Sequence, residues 1–276
     1  MLRAWGWCLT GLLGIVFSVA CGQAASSLPE ENQWQQGKQY VAEGKAREAK
    51  AVLEDLAKRY PKEADLHLLL AIASLRLREA QAAELYVRQA LAIAPNHAEA
   101  RTLLGWIDLE IRRDYDAAVQ EYARVVELKP EFPEAYNNLG VALKKKGDLE
   151  KAMVNFNRAL ELRAGYGEAR SNRGWVYVEQ KRWREAREDF EQALKSDPQD
   201  EGALYGLSQV LKEARDYAGA AQALRSLMVR SPNFVYWLEW GRLQLVRYYW
   251  ALLLVTAALI AHAQYKKRVR RQAHGG

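Results

Sequence analysis

The side chains in this 276-residue sequence best suited to metal ligation or nucleophilic attack are His67, His97, His262, His274, Cys8 and Cys21. They do not gather. The histidines fall on separate stretches, and both cysteines lie near the start of the chain. No HExxH pair, glycine-rich phosphate loop or GxSxG turn occurs, so zinc hydrolysis, phosphate cradling and serine acyl transfer lack their residues. No metal site, disulfide framework or cofactor is expected in the body of the chain, no small-molecule substrate is evident, and it reads as a non-enzyme. Recognition chemistry is better supplied. The amides of Asn138 and Asn172 each carry a donor and an acceptor, so either can pair with any peptide unit whatever its side chain. The indoles of Trp106 and Trp175 are large amphipathic surfaces of the kind that anchor protein contacts.

What must position these groups is a repeated element. Ala49, Ala83, Ala118, Ala152, Ala186 and Ala220 follow one another at spacings of 34, 35, 34, 34 and 34 residues. A period in this range signals a stack of like supersecondary units. A small residue precedes each alanine by about twelve positions: Gly37, Ala71, Gly105, Gly140, Gly174 and Ser208. A larger apolar residue follows four later: Leu53, Val87, Tyr122, Phe156, Phe190 and Leu224. Pro61, Pro95, Pro130, Pro198 and Pro232 close the units, with Ala164 the exception. Small residues at two fixed points let antiparallel helices approach closely. Apolar residues around them recur at helical spacing. Asp114, Asp148 and Asp216 are suited to cap the second helix, and the proline ends it. Each unit is therefore a helix hairpin that hides half its apolar face and needs a neighbour to hide the rest.

The stretches Pro133–Tyr166 (PEAYNNLGVALKKKGDLEKAMVNFNRALELRAGY) and Gly167–Asp200 (GEARSNRGWVYVEQKRWREAREDFEQALKSDPQD) resemble tetratricopeptide repeats. The resemblance implies an all-α, right-handed superhelical solenoid of six helix hairpins over 26–234, divided at about 30–63, 64–97, 98–132, 133–166, 167–200 and 201–234. Three irregularities stand out. Gln33 and Gln36 replace large apolar residues in the first repeat, Arg173 replaces a core leucine in the fifth, and the third has an extra residue near Arg112 to Asp114. In this family the first helix of each hairpin lines a concave binding face. Carried over, its fifth places are Trp34, Leu68, Thr102, Asn137, Ser171 and Tyr205; Asn138 and Asn172 are sixth places, and Trp106 and Trp175 ninth places. The resemblance implies a protein or extended peptide as partner, gripped by Asn137, Asn138, Asn172, Trp34, Trp106, Trp175 and Tyr205. The alternative is that the tryptophans pack against neighbouring helices and the asparagines are merely solvated.

The ends carry membrane features. Residues 1–25 read as a secretory signal, with basic Arg3, an apolar run from Trp5 to Val19 and small residues after it. Cys21 follows a small-residue run as in a bacterial lipoprotein signal, although Ser18 stands where leucine is usual. Lipidation of Cys21, ordinary cleavage near Ala20 or Ala24, and an uncleaved anchor all remain open. Residues 235–247 are expected to form a capping helix through Val235, Leu238, Gly241, Leu245 and Val246, and 248–264 a transmembrane helix. Tyr248 to Ala263 holds no charged residue, and the 265–276 tail follows with Lys266, Lys267, Arg268, Arg270 and Arg271. Sixteen residues rise only ~24 Å against a hydrocarbon core of ~30 Å. Starting near Leu243, with Arg247 snorkelling, closes the gap, and Trp240, Tyr248, Tyr249, Trp250 and Tyr265 would form aromatic belts. The formal charge of +6 is accounted for by Arg3 and the five tail residues, and the rest is balanced, so no nucleic-acid-binding face is expected. Basic ends stay on the cytoplasmic side, which puts the repeats on the exported, periplasmic side. The leading functional expectation is a membrane-tethered scaffold for an envelope complex. A chaperone for exported clients such as apo-cytochromes or pilus subunits is the alternative, and a non-catalytic subunit of an enzyme complex ranks below it.

Overall fold

The structure, a computed structural model, describes residues 31–273, with side chains over 32–266. The expected signal at 1–25, Cys21 and the side chains of Lys267, Arg268, Arg270 and Arg271 lie outside the described residues. All regular structure among the described residues is helical. The chain divides into two compact units, one ending at Leu162 and the other beginning at Arg163.

The N-terminal unit contains α1 (Glu31–Ala42), α2 (Ala46–Arg59), α3 (Ala64–Arg76), α4 (Ala80–Ile93), α5 (Ala98–Trp106), α6 (Tyr115–Leu128), α7 (Pro133–Lys146) and α8 (Leu149–Leu162). Each packs against the next. Ala49, Ala83, Ala118 and Ala152 are fully buried. The columns read in the sequence interlock, since Gly37 faces Leu53, Gly105 faces Tyr122 and Gly140 faces Phe156. A Cβ on Gly140 would sit 2.6 Å from the Phe156 ring, so the small residue is what lets that ring seat. The second helices end at Arg59, Ile93, Leu128 and Leu162; proline follows the first three two residues later, and Ala164 takes its place after the fourth.

The hairpin turns share one geometry. Gly44, Arg78 and Gly147 adopt positive φ, and the amides of Lys45, Glu79 and Asp148 donate to carbonyls five residues back at 2.9 Å. In the third hairpin Arg113 is the left-handed residue, and the Asp114 amide reaches six residues back to Asp108 at 2.8 Å. The extra residue of that repeat is absorbed upstream of the turn, where Ile107–Arg112 form a π-helical segment continuing α5. Such single-turn widenings accommodate one added residue in a helix. Asp114 and Asp148 cap α6 and α8, accepting from Ala117 N at 3.0 Å and Lys151 N at 3.2 Å.

The C-terminal unit holds α9 (Gly167–Glu179), α10 (Trp183–Ser196), α11 (Glu201–Glu213), α12 (Tyr217–Arg230) and α13 (Phe234–Ala273). Ala186 and Ala220 are fully buried, and Phe190 is clasped between Gly174 and Gly206. Lys181 and Arg215 occupy the left-handed position of its two hairpin turns. The helix α13 runs unbroken for 40 residues, about 60 Å. Its first three turns close the unit through Tyr236, Trp240 and buried Leu243, which pack against Leu204, Leu211, Leu224 and Leu227. This corrects the expected capping stripe, because Val235, Leu238, Leu245 and Val246 face outward. Two stripes interleave there, and only the one at 236, 240 and 243 meets α12. Trp240 likewise belongs to the core and not to an aromatic belt. Beyond it nearly every side chain to Lys266 is exposed, and Phe234–Lys266 is long and apolar enough to cross a membrane.

Candidate partner-binding site

The first helices of the hairpins carry the residues expected to meet a partner, and in each unit their neighbours decide what stays accessible. In the N-terminal unit Asn137 is completely buried, as is Leu68. Asn137 therefore cannot serve as a groove contact. It shares a face of α7 with buried Pro133 and Gly140, where its amide is enclosed. Asn138, next along, is half-buried. Trp34 and Trp106 are half-buried and pack against the large aliphatic core of this unit, with Lys38 Nζ over the Trp34 ring at 4.8 Å. Thr102 spends its hydroxyl on the Ala98 carbonyl at 2.9 Å.

In the C-terminal unit Ser171 is buried and its hydroxyl holds Asp200, the cap of α11 that accepts from Ala203 N at 3.0 Å. Burial pushes the Asp200 carboxyl above its usual range despite these bonds. Asn172 is half-buried. Trp175, Tyr205 and Tyr236 form a row across α9, α11 and α13, with ring centroids 6.0 and 5.5 Å apart. Trp175 also meets Phe190 edge-on at 5.5 Å. Aromatic pairs at these separations add to ordinary burial. The row is part core and part surface, and its members stay half-buried. Beneath it runs a polar chain. Tyr205 Oη donates to Glu239 Oε1 at 3.3 Å, Gln209 Nε2 donates to Glu239 Oε2 at 3.0 Å, and Lys212 Nζ donates to Gln209 Oε1 at 2.6 Å. Tyr236 and Glu239 lie on a face of the last helix that competes with the more apolar stripe at Val235, Leu238 and Leu245, and no pattern in the sequence marks Gln209 on α11. The spacing of Tyr236, Trp240 and Leu243 was the available clue.

Each unit also carries one charged cluster beside these faces. Arg173, at the place of a core leucine, donates from Nε and Nη2 to the two carboxylate oxygens of buried Asp189, each at 2.7 Å. That carboxylate raises the affinity of the guanidinium for its proton above the usual value. In the N-terminal unit His97 lies between Asp65, 2.8 Å from Nε2, and Glu99, 3.2 Å from Nδ1. Its pKa is pushed up to about 9 by Asp65 first and Glu99 next. The ring is then charged at neutral pH and donates from both nitrogens. The Ala100 amide, 3.3 Å from Nδ1, can cap only onto the neutral ring, so the carboxylates displace that role. His97 also holds the Glu99 carboxyl down to about 2, with Lys129 assisting.

Models described as tetratricopeptide repeat match residues 40–107, 132–199 and 171–233, and one described as TPR repeat matches 112–147. No curated protein sequence matches the chain. Among solved structures, PilF of Pseudomonas aeruginosa superposes with a TM-score of 0.66 at 21% identity, over 77% of this chain and 96% of its own. MamA of Desulfovibrio magneticus RS-1 gives 0.56 at 22% identity, over 62% and 96%. YrrB, described as a TPR protein with an unusual peptide-binding site, gives 0.51 at 19% identity, over 69% and 97%. At these identities the likeness concerns the fold, and it agrees with the period, the interlocking columns and the matched repeats. The chain is a tetratricopeptide-repeat protein.

Proposed function

We propose that this protein is a membrane-tethered, non-enzymatic scaffold that binds a protein segment along the first helices of its hairpins and helps organise an envelope complex. The repeats stand on the exported side and α13 holds them to the membrane. The observation that carries the reading is the half-buried row Trp175, Tyr205 and Tyr236, whose last member lies on the same helix that becomes the long apolar segment. A binding face and an anchor thereby share one rigid element. The likeness to YrrB supports a peptide-like occupant.

Site-specific photo-crosslinking in membranes tests this. A photoreactive residue at Asn138 or Asn172 should capture a partner, whereas one at the exposed Val154 of α8 or Val229 of α12 should not. Asn138→Ala or Asn172→Ala, tested singly, should lower affinity about two- to tenfold, the worth of one lost hydrogen bond. Capture from the second helices alone would move the site to the opposite faces. Several unfolded clients in place of one stable partner would favour the chaperone reading.

A further inference from the structure

The C-terminal unit fixes which of its edges faces the membrane. The helices α11 and α13 run parallel. Ser231 meets Glu201 at the start of α11, the Tyr205 ring lies 5.5 Å from Tyr236, and Gln209 bonds Glu239 at 3.0 Å. Advancing along α11 thus advances along α13 in the same direction, with an offset of thirty-odd residues. At a common rise the end of α11 at Glu213 falls level with residues 243–247 of α13. Among the described residues Leu243 is the last buried side chain of α13, and the uncharged run begins at Tyr248. The helix therefore leaves the unit beside the turn between α11 and α12. The turn between α9 and α10 lies at the same end, because α9 and α11 pack together as equivalent first helices.

The apices of these two turns are Lys181 and Arg215, both exposed and forming no ion pair among the described residues. With Arg182, Arg184, Lys212 and Arg247 nearby they make six cations, against the five carboxylates of Glu179, Glu185, Glu188, Glu213 and Asp216, Glu188 lying 4.0 Å from Arg184. Arg182 is shared with Glu185 at 2.9 Å, while Arg247 lies over the Tyr248 ring at 5.2 Å. From Leu243 to Tyr248 is ~8 Å of helix, about one Debye length at physiological salt. We infer that this turn edge is a docking surface for anionic lipid headgroups of the bilayer that α13 enters, with Lys181 and Arg215 as its principal contacts. The inference rests on reading α13 as a membrane span.

The test uses full-length protein with Cys8→Ser and Cys21→Ser, a fluorophore on Gln180→Cys, and proteoliposomes carrying a headgroup acceptor dye. Carbonate-resistant association with the vesicles is checked first, and failure there overturns the span and the docking together. With phosphatidylglycerol at about a third of the lipid, energy transfer from Gln180→Cys should be high and exceed that from a label at Gln199→Cys. It should fall in pure phosphatidylcholine, in high salt and in Lys181→Gln/Arg215→Gln. Each cation near such a surface is worth about fivefold in occupancy, so the double variant should lose about 25-fold. Carbonate-resistant protein whose transfer ignores lipid charge, salt and both substitutions would overturn the docking and leave the span standing.

Discussion

Arg173 shows how a residue out of place in a repeat pattern is made tolerable. A leucine there would pack without cost, whereas the guanidinium needs the buried Asp189 carboxylate, and Asp189 in turn has no solvent to fall back on. Arg173→Ala should destabilise the protein by about 3–5 kcal/mol, because it strands a buried charge. Arg173→Leu combined with Asp189→Leu should recover most of that loss, since an apolar pair can match a buried ion pair. Thermal or denaturant melts of the three proteins decide this, and a mild effect of Arg173→Ala would show that water reaches Asp189. His97 makes a pH-dependent contribution. Its pKa rises from 6.5 to about 9 on folding, so its stabilisation is complete below 6.5 and lost as pH climbs through 9. The Glu99 pKa falls from 4.5 to about 2, so its share is complete above 4.5 and lost as pH drops through 2. Melting temperature should therefore peak between these limits, and His97→Ala should flatten the alkaline arm. An alkaline arm unchanged in that variant would place the titrating group elsewhere.

At the level of the element, the hairpin depends on columns that touch. Ala152 is fully buried, and Gly140 admits the Phe156 ring from the facing helix. Ala152→Phe should overpack the contact between α7 and α8 and cost about 1–3 kcal/mol or more. Because α7 also rests on α6, the loss should spread to the preceding hairpin. Hydrogen exchange confined to α7 and α8 would contradict that coupling. Much of this was legible in the sequence, since the alanine, glycine and large-apolar columns are the contacts themselves. The extra residue of the third repeat was legible as an irregularity, but its place was not: a π segment at Ile107–Arg112 leaves no mark that spacing alone can read. Asn137 was misread for a related reason. The family position defines a helix face only to within one residue, and Asn137 and Asn138 lie on either side of the line between core and surface. The buried face of α13 is marked only by the spacing of Tyr236, Trp240 and Leu243, because the apolar residues Val235, Leu238, Leu245 and Val246 form a competing stripe.

For the whole molecule, the proposed topology turns on a directional asymmetry. In that proposal Tyr248 to Ala263 partitions into lipid, while Lys266, Lys267, Arg268, Arg270 and Arg271 resist crossing and stay on the side where the chain is made. The exposure of α13 beyond Leu245 fits that role, because no element among the described residues covers its apolar side chains. Truncation after Arg247 removes the span and keeps Tyr236, Trp240 and Leu243, so the C-terminal core stays closed. The truncated protein should be exported and leave the membrane fraction, unless Cys21 is lipidated and holds the other end. Comparing truncated chains with and without Cys21→Ser separates these cases. Retention only of the cysteine form means an acyl anchor, and release of both means cleavage without lipid. Retention of both on the exported side means an uncleaved N-terminal anchor. If both forms stay in the cytoplasm, residues 1–25 do not direct export, and the orientation proposed for the repeats falls with them.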